Sequence, residues 1–173
     1  MDTRYAKVLQ LVRIIGVLAV VIAVFRLAWV SDDALITLRT ALNITHNWGP
    51  GYNATEAVQA YTHPLWFLIW VGIGSATNQW ILGILLTSIV FTAIAVALIL
   101  WRAQSIARVI LITGFLLFSN AFVEYATSGL ENPLAFAALA LVGVLALQLT
   151  PTAHWTWGGL VRFGRRRRSF DPL

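Results

Sequence analysis

The chain has 173 residues, a mean hydropathy of +0.78, 59% hydrophobic residues and only 11% charged ones, which excludes an ordinary soluble domain. It contains no cysteine, so disulfides and cysteine-ligated metals are excluded as well. Four of the charges behind the net +5 lie in one arginine run at 165–168. Such a cluster beside a membrane segment is typical of the cytoplasmic face and anionic lipid, so we expect membrane lipid and no nucleic acid as a partner.

The apolar segments predict about four membrane helices, since one span needs roughly 20 residues. Basic residues of short loops tend to stay in the cytoplasm. Four spans with the N-terminus inside satisfy this rule for every basic cluster, and they leave the short apolar segment 64–77 as a re-entrant stretch. If 64–77 crosses as a fifth span, the basic loop at 102–108 lies outside, so we favour four. The predicted spans are 14–30, 80–101, 106–123 and 133–149.

These features predict an all-α polytopic protein of the plasma membrane, with a transmembrane module at 1–149 and a basic, aperiodic tail at 150–173. The most polar stretch, 31–63, is the expected first external loop. Ser31 predicts a helix N-cap there, and an apolar stripe at helical spacing predicts an amphipathic helix on the membrane surface that ends at 49–51. A second short juxtamembrane helix is predicted over 53–62. The stripe consists of Leu35, Leu38 and Leu42.

Two adjacent acids, Asp32 and Asp33, directly follow the first span. In the first turn of a helix each carboxylate interacts favourably with the helix dipole by about 0.3–1 kcal/mol, and one such acid is sufficient. A pair where a membrane span meets a loop also suits a general base toward a hydroxyl, or a metal ligand. Glu131 stands near a predicted helix start as well, because Pro133 suits the first helical position.

Arg39 and His63 are candidate contacts for an anion in the same loop. Arg39 suits either a lipid headgroup, with its stem covering apolar surface, or the phosphate of a lipid-linked donor. His63 stands between a polar loop and an apolar segment, where an imidazole suits phosphate or a metal, although a lone histidine is usually only hydrogen-bonded. The sequence contains no Gly-rich phosphate loop, no HExxH motif and no nucleophile elbow.

Four short motifs occur in a fixed order along the chain. They are Asp32-Asp33 followed by Arg39, then Gly51-Tyr52-Asn53-x-x-Glu56, then Tyr61-Thr62-His63-Pro64-Leu65-Trp66, and Ser128-Gly129-Leu130-Glu131-x-Pro133-Leu134. In this order they resemble the N-terminal part of the GT-C glycosyltransferases, and most of all the type B terminal arabinofuranosyltransferases of actinobacterial cell-wall synthesis. The resemblance covers roughly residues 5–148.

The resemblance implies transfer of arabinofuranose from a polyprenyl-phosphate donor to a hydroxyl of an arabinan or other glycan acceptor outside the membrane. It implies that Asp33 or Asp32 is the key catalytic carboxylate and that Glu131 is a second acid near it. By position it points to His63 at the donor phosphate, where Arg39 is the other candidate contact. It does not decide whether a divalent metal takes part. Aromatic residues suit stacking on sugar faces, with the aromatic belt of a membrane interface as the alternative. These aromatics are Trp48, Tyr52, Tyr61 and Trp66.

Members of that family continue for several more spans and usually carry a soluble domain. The chain is therefore expected to be a truncated, frameshifted or split form, whose activity on its own is in question. A non-enzymatic accessory subunit or inactive remnant, docking through small-residue helix faces, is the alternative to an enzyme. A transport element is a third interpretation, but Arg26 is the only charge that lies more than two residues from either end of a predicted span.

Overall fold

A computed structural model describes residues 3–53 and 61–149. Within these ranges the chain is mainly helical, which confirms the predicted all-α polytopic membrane class. The predicted second juxtamembrane helix and the basic tail lie wholly or mostly outside the described residues. The helices are α1 (Thr3–Arg26), α2 (Asp32–Thr45), α3 (Pro64–Thr77), α4 (Trp80–Arg102), α5 (Ile106–Phe118), α6 (Asn120–Tyr125) and α7 (Asn132–Leu149).

Three of the described helices, α1, α4 and α7, are long and apolar enough to cross a membrane. The predicted span at 106–123 is wrong as one continuous helix, because it is interrupted at Ser119. The Ser119 hydroxyl accepts a hydrogen bond from the Phe122 backbone N–H and starts α6. The 13 residues of α5 extend about 20 Å, which is short of a hydrocarbon core of about 30 Å.

The first helix is displaced from its predicted position. The predicted span ran over 14–30, whereas α1 ends at Arg26 and residues 28–30 are not helical. The indole N–H of Trp29 in this linker donates to the Glu124 carbonyl at 2.9 Å. The 14-residue α3 is about 21 Å long, also less than a hydrocarbon core. Whether α3 crosses the membrane therefore stays a prediction.

The buried apolar side chains form two groups. The larger group, here the bundle cluster, fills the space between α1, α4, α5 and α6; its members include Leu9, Val20, Val24, Val96, Leu100, Val109 and Leu116. The smaller group, here the loop cluster, joins α2, α3 and α4 beneath the polar loops; it consists of Ala34, Trp66, Trp70 and Ile84. The loop cluster supports the candidate site.

Candidate functional site

The two adjacent acids lie at the N-terminus of α2. Ser31 is the N-cap, as predicted, because its hydroxyl accepts the Ala34 backbone N–H at 3.2 Å. An oxygen of Asp32 accepts the Asp33 backbone N–H at 3.2 Å. Both carboxylates are exposed. The geometry thus divides the pair: Asp32 contributes to the local backbone structure, and Asp33 presents its carboxylate to the surroundings.

A buried loop, 126–129, connects these acids to Glu131. The Ser31 backbone N–H donates to the Ser128 carbonyl at 2.9 Å. The indole N–H groups of Trp66 and Trp70 both donate to the Gly129 carbonyl, at 2.8 and 3.2 Å. Two elements that are distant in the sequence, the N-terminus of α2 and helix α3, are therefore fixed to one loop. The N-terminus of α2 and the start of α7 are held side by side.

Gly129 is required in this loop for two separate reasons. Its φ of +82° lies in the left-handed region that side chains other than glycine rarely adopt. A Cβ at this position would also lie 2.6 Å from the Cβ of Ala34, well inside van der Waals contact. The close approach of α2 to the loop depends on this glycine.

The side chains of His63 and Glu131 are in direct contact, with 3.0 Å between Nε2 and Oε2, a distance that makes an ion pair when the imidazole is protonated. The histidine side chain is 45% exposed and the glutamate 29%. The Oε2 atom itself is buried and accepts no hydrogen bond of good geometry in the described part of the chain. The contact with His63 is therefore the polar interaction that the described residues offer to this oxygen. Two residues predicted to belong to one site are in direct contact, while their roles in that site stay predictions.

Arg39 lies elsewhere, on the exposed face of α2. Its guanidinium carbon is 4.3 Å from the centre of the Tyr52 ring, a cation–π contact. Both residues line a groove of about 420 Å³, together with Leu35, Leu38, Leu42, Asn43, His46 and Trp48. The predicted apolar stripe of α2 thus forms the floor of a groove. The helix also ends at Thr45, before the predicted 49–51.

The four predicted aromatic contacts have different environments. Trp48 is 60% exposed and Tyr52 is half-buried, and both line the groove. Tyr61 stacks on Phe67, with ring centres 4.1 Å apart. Trp66 is only 2% exposed and is bonded to the loop carbonyl. Trp66 thus supports the loop, and its role as a sugar contact stays a prediction.

The residues do not make a complete metal site in the part of the chain that the structure describes. No three His, Asp or Glu side chains come together there closely enough to hold a cation. The His63–Glu131 pair supplies two donor side chains, one fewer than even an open catalytic zinc site uses. We therefore assign no step to a metal.

Sequence reasoning missed several residues that shape the site. Trp70 follows Trp66 by four residues, a helical spacing that places the two indoles on one face. His46 follows Arg39 by seven residues, again on one face, but had been given no role. The amide of Asn43 donates to the carbonyls of Gly51 and Tyr52 at 2.8 and 3.0 Å and holds one groove wall. No local pattern reveals these last contacts.

The fold and the site define an all-α polytopic membrane protein with acidic residues gathered at helix ends. Over 137 residues the chain is 31% identical to the terminal beta-(1->2)-arabinofuranosyltransferase of Mycobacterium tuberculosis, covering 66% of this chain and 20% of that relative. Over 38 residues it is 53% identical to the protein of the same description from Corynebacterium glutamicum, covering 22% of this chain and 6% of the relative. This similarity supports a glycosyltransferase relationship.

The chain spans about a fifth or less of the length of these curated relatives. No family model matches the chain. No solved structure matches it either.

Proposed function

We propose that the chain carries the acidic external loop of a membrane glycosyltransferase of the GT-C type. In this proposal it transfers arabinofuranose from a polyprenyl-phosphate donor to a hydroxyl of cell-wall arabinan on the extracytoplasmic side of the plasma membrane. The observation that carries the proposal is the contact of His63 with Glu131, on the loop that also holds Ser31 next to the acid pair. The partial similarity to arabinofuranosyltransferases supports arabinofuranose as the sugar that is transferred.

The proposed roles follow from the contacts. Asp33 presents an exposed carboxylate at the start of α2, where the helix dipole favours the anion. It acts on the acceptor hydroxyl as a general base or stabilises positive charge that develops on the sugar. Glu131 is the second acid, and its orientation is fixed by His63. Arg39 contacts the donor phosphate from the groove on α2.

The test is radiolabelled transfer by membranes that express the full chain, supplied with polyprenyl-phosphoryl-arabinofuranose and an oligo-arabinoside. We expect Asp33→Asn and Glu131→Gln each to lower the rate at least about 100-fold, the scale of removing an acid–base group. The matched control is Glu124→Gln, because Glu124 is an exposed acid whose contact with Trp29 uses only its backbone carbonyl. Normal transfer by both acid variants would refute the assigned roles.

A second candidate is a non-enzymatic accessory subunit. Absence of transfer by a correctly inserted wild-type chain, together with restored transfer when the chain is added to a longer homologous enzyme, would support this candidate. Transfer by the purified chain would exclude it.

A further inference from the structure

The charges of the described residues are separated between the two ends of the helical bundle. The start of α1 and the connection from α4 to α5 carry five of the seven described lysines and arginines: Arg4, Lys7, Arg13, Arg102 and Arg108. The four described acids lie on the elements of the candidate site or on α6: Asp32, Asp33, Glu124 and Glu131. Among the described residues, the first group, here the basic end, therefore contains no carboxylate to balance its charge.

One side chain joins the two parts of the basic end. The guanidinium of Arg13 donates from Nη2 to the Ala103 carbonyl at 2.7 Å, and its carbon lies 6.0 Å from the centre of the Trp101 ring. Arg102 stands between these two contacts and has an exposed side chain. The Nε atom of Arg13 is buried and has no acceptor among the described residues. A half-buried guanidinium without a carboxylate is costly, so an anion close to it is stabilising.

The start of α5 carries positive charge where a helix usually carries negative charge. Ser105 is the N-cap, because its hydroxyl accepts the Arg108 backbone N–H at 3.4 Å. This places Arg108 in the first turn, where the helix dipole favours acids, and α5 has no acid there. The dipole and the guanidinium therefore repel each other. An anion bound from outside the chain interacts favourably with both and offsets this repulsion.

An apolar cleft lies between α1 and α5, directly beside the basic end. This α1–α5 cleft has a volume of about 280 Å³. Val12 and Val109, the sequence neighbours of two of the arginines, line it, and it extends along α1 as far as Ala19. Seven residues of helix correspond to about 10 Å. Gly114 in the wall leaves open space, because a Cβ there meets nothing within 4 Å. The cleft suits part of an extended hydrocarbon chain.

We propose that the basic end binds an anionic two-chain phospholipid of the bilayer, with Arg102 and Arg108 at its phosphate and one acyl chain in the α1–α5 cleft. Arg13 holds the α4–α5 connection in place and adds its charge at longer range. A lipid fits better than a free phosphate, because the apolar cleft adjoins the cations. In addition, Trp101 at the same end is 48% exposed, as an indole at a membrane interface is.

The test is lipid binding by the purified full chain in an uncharged detergent. The apparent Kd is taken from the rise of the thermal midpoint with ligand concentration, since a ligand of the native state stabilises it. Phosphatidylglycerol is compared with phosphatidylcholine of the same acyl chains, and inorganic phosphate is the third ligand. We expect phosphatidylglycerol to bind about tenfold more tightly than phosphatidylcholine at low salt, the combined scale of two exposed ion pairs. The preference decreases as salt is added.

Substitutions separate the headgroup from the acyl chain. Arg102→Gln and Arg108→Gln are each expected to weaken phosphatidylglycerol binding about threefold, and together to remove its advantage over phosphatidylcholine. The matched control is Arg26→Gln, because Arg26 is an exposed arginine at the opposite end of α1.

Gly114→Leu fills the α1–α5 cleft and is expected to weaken both lipids about threefold through lost chain contacts. Its matched control is Gly143→Leu, since a Cβ there also meets nothing within 4 Å and the residue lies on α7. Circular dichroism in the absence of lipid checks that each variant is folded.

Several outcomes overturn the proposal. Equal affinity for the two lipids refutes recognition of the anionic headgroup, and an equal loss in Arg26→Gln reduces it to a general effect of net charge. Stabilisation by inorganic phosphate as strong as that by phosphatidylglycerol at the same concentration replaces the lipid with a free anion. No difference between Gly114→Leu and Gly143→Leu refutes the place of the acyl chain. None of these results depends on whether the chain transfers a sugar.

Discussion

The bundle cluster and the loop cluster are built on different principles. The bundle cluster consists of aliphatic side chains such as Val20, Val96 and Leu100, which pack between helices without polar partners. The loop cluster contains two tryptophans whose N–H groups both meet one carbonyl. Aliphatic packing tolerates volume-conserving changes, whereas a buried hydrogen-bonded arrangement fixes one geometry. The site is attached to the second kind of core, which suits a function that needs fixed positions.

The largest predicted effect is at Gly129. Replacement by alanine forces a strained φ and brings a new methyl group against Ala34, so we expect a loss of more than about 2 kcal/mol of stability. Thermal unfolding in mild detergent, followed by circular dichroism, measures this loss. Gly114→Ala is the matched control, because a Cβ there meets nothing within 4 Å. An equal loss in both variants would contradict the proposed fit.

The two indoles provide the next test. Trp66→Phe removes the shorter bond to the Gly129 carbonyl and is expected to destabilise the chain by about 1–3 kcal/mol. Trp70→Phe removes the longer, 3.2 Å bond and should cost less. The comparison is made from the two thermal midpoints in the same detergent. A larger loss for Trp70→Phe would show that ring packing, rather than the hydrogen bond, dominates the loop cluster.

The bundle also contains a polar contact, which makes the distinction between the two clusters less sharp. The Arg13 guanidinium donates to the Ala103 carbonyl at the end of α4, at 2.7 Å. We expect Arg13→Gln to destabilise by about 1–2 kcal/mol, the range of a hydrogen bond from a charged group. The thermal midpoint of Arg13→Gln is compared with that of Arg108→Gln, in which an exposed arginine is replaced. This comparison separates the loss of the hydrogen bond from the loss of one positive charge. No difference between the two variants would show that this hydrogen bond contributes nothing measurable to the stability of the bundle.

The smallest effect is expected on the outer surface of the helices. Phe118 is 90% exposed, so Phe118→Ala removes almost no packing within the chain and should change stability by less than about 0.5 kcal/mol. The same thermal assay checks this. A loss as large as that of Trp66→Phe would mean that a contact outside the described residues covers this ring.

Sequence patterns predicted the helices better than the contacts between them. Apolar runs marked α4 and α7 closely, because burial in lipid follows from composition alone. The break at Ser119 was missed, although Ser119-Asn120 is a reasonable N-cap signal within an apolar run. The N-cap at Ser31 was predicted correctly because a cap is a local feature.

The assembly of the site was only partly foreseeable. The motifs singled out His63 and Glu131, but their 3.0 Å contact joins residues 68 positions apart and has no local signature. The same is true of the two hydrogen bonds that the indoles of Trp66 and Trp70 donate to the Gly129 carbonyl, which join residues about 60 positions apart. Arg39 was grouped with His63 from the motif order, yet it faces a groove on α2 with His46. The seven-residue spacing of Arg39 and His46 is sufficient to predict this pairing, because it places both side chains on one face of a helix.

The backbone hydrogen bond between Ser31 and Ser128 also determines when the site can form during synthesis of the chain. The two residues are 97 positions apart, 128 minus 31. At the usual speed of the ribosome, about 5–20 residues per second, roughly 5–20 s pass before the second partner is made. During that interval the acid pair is already synthesised, while the loop that holds it beside Glu131 does not yet exist. The site therefore matures late, only after the residues of α1 to α6 and the start of α7 have been synthesised.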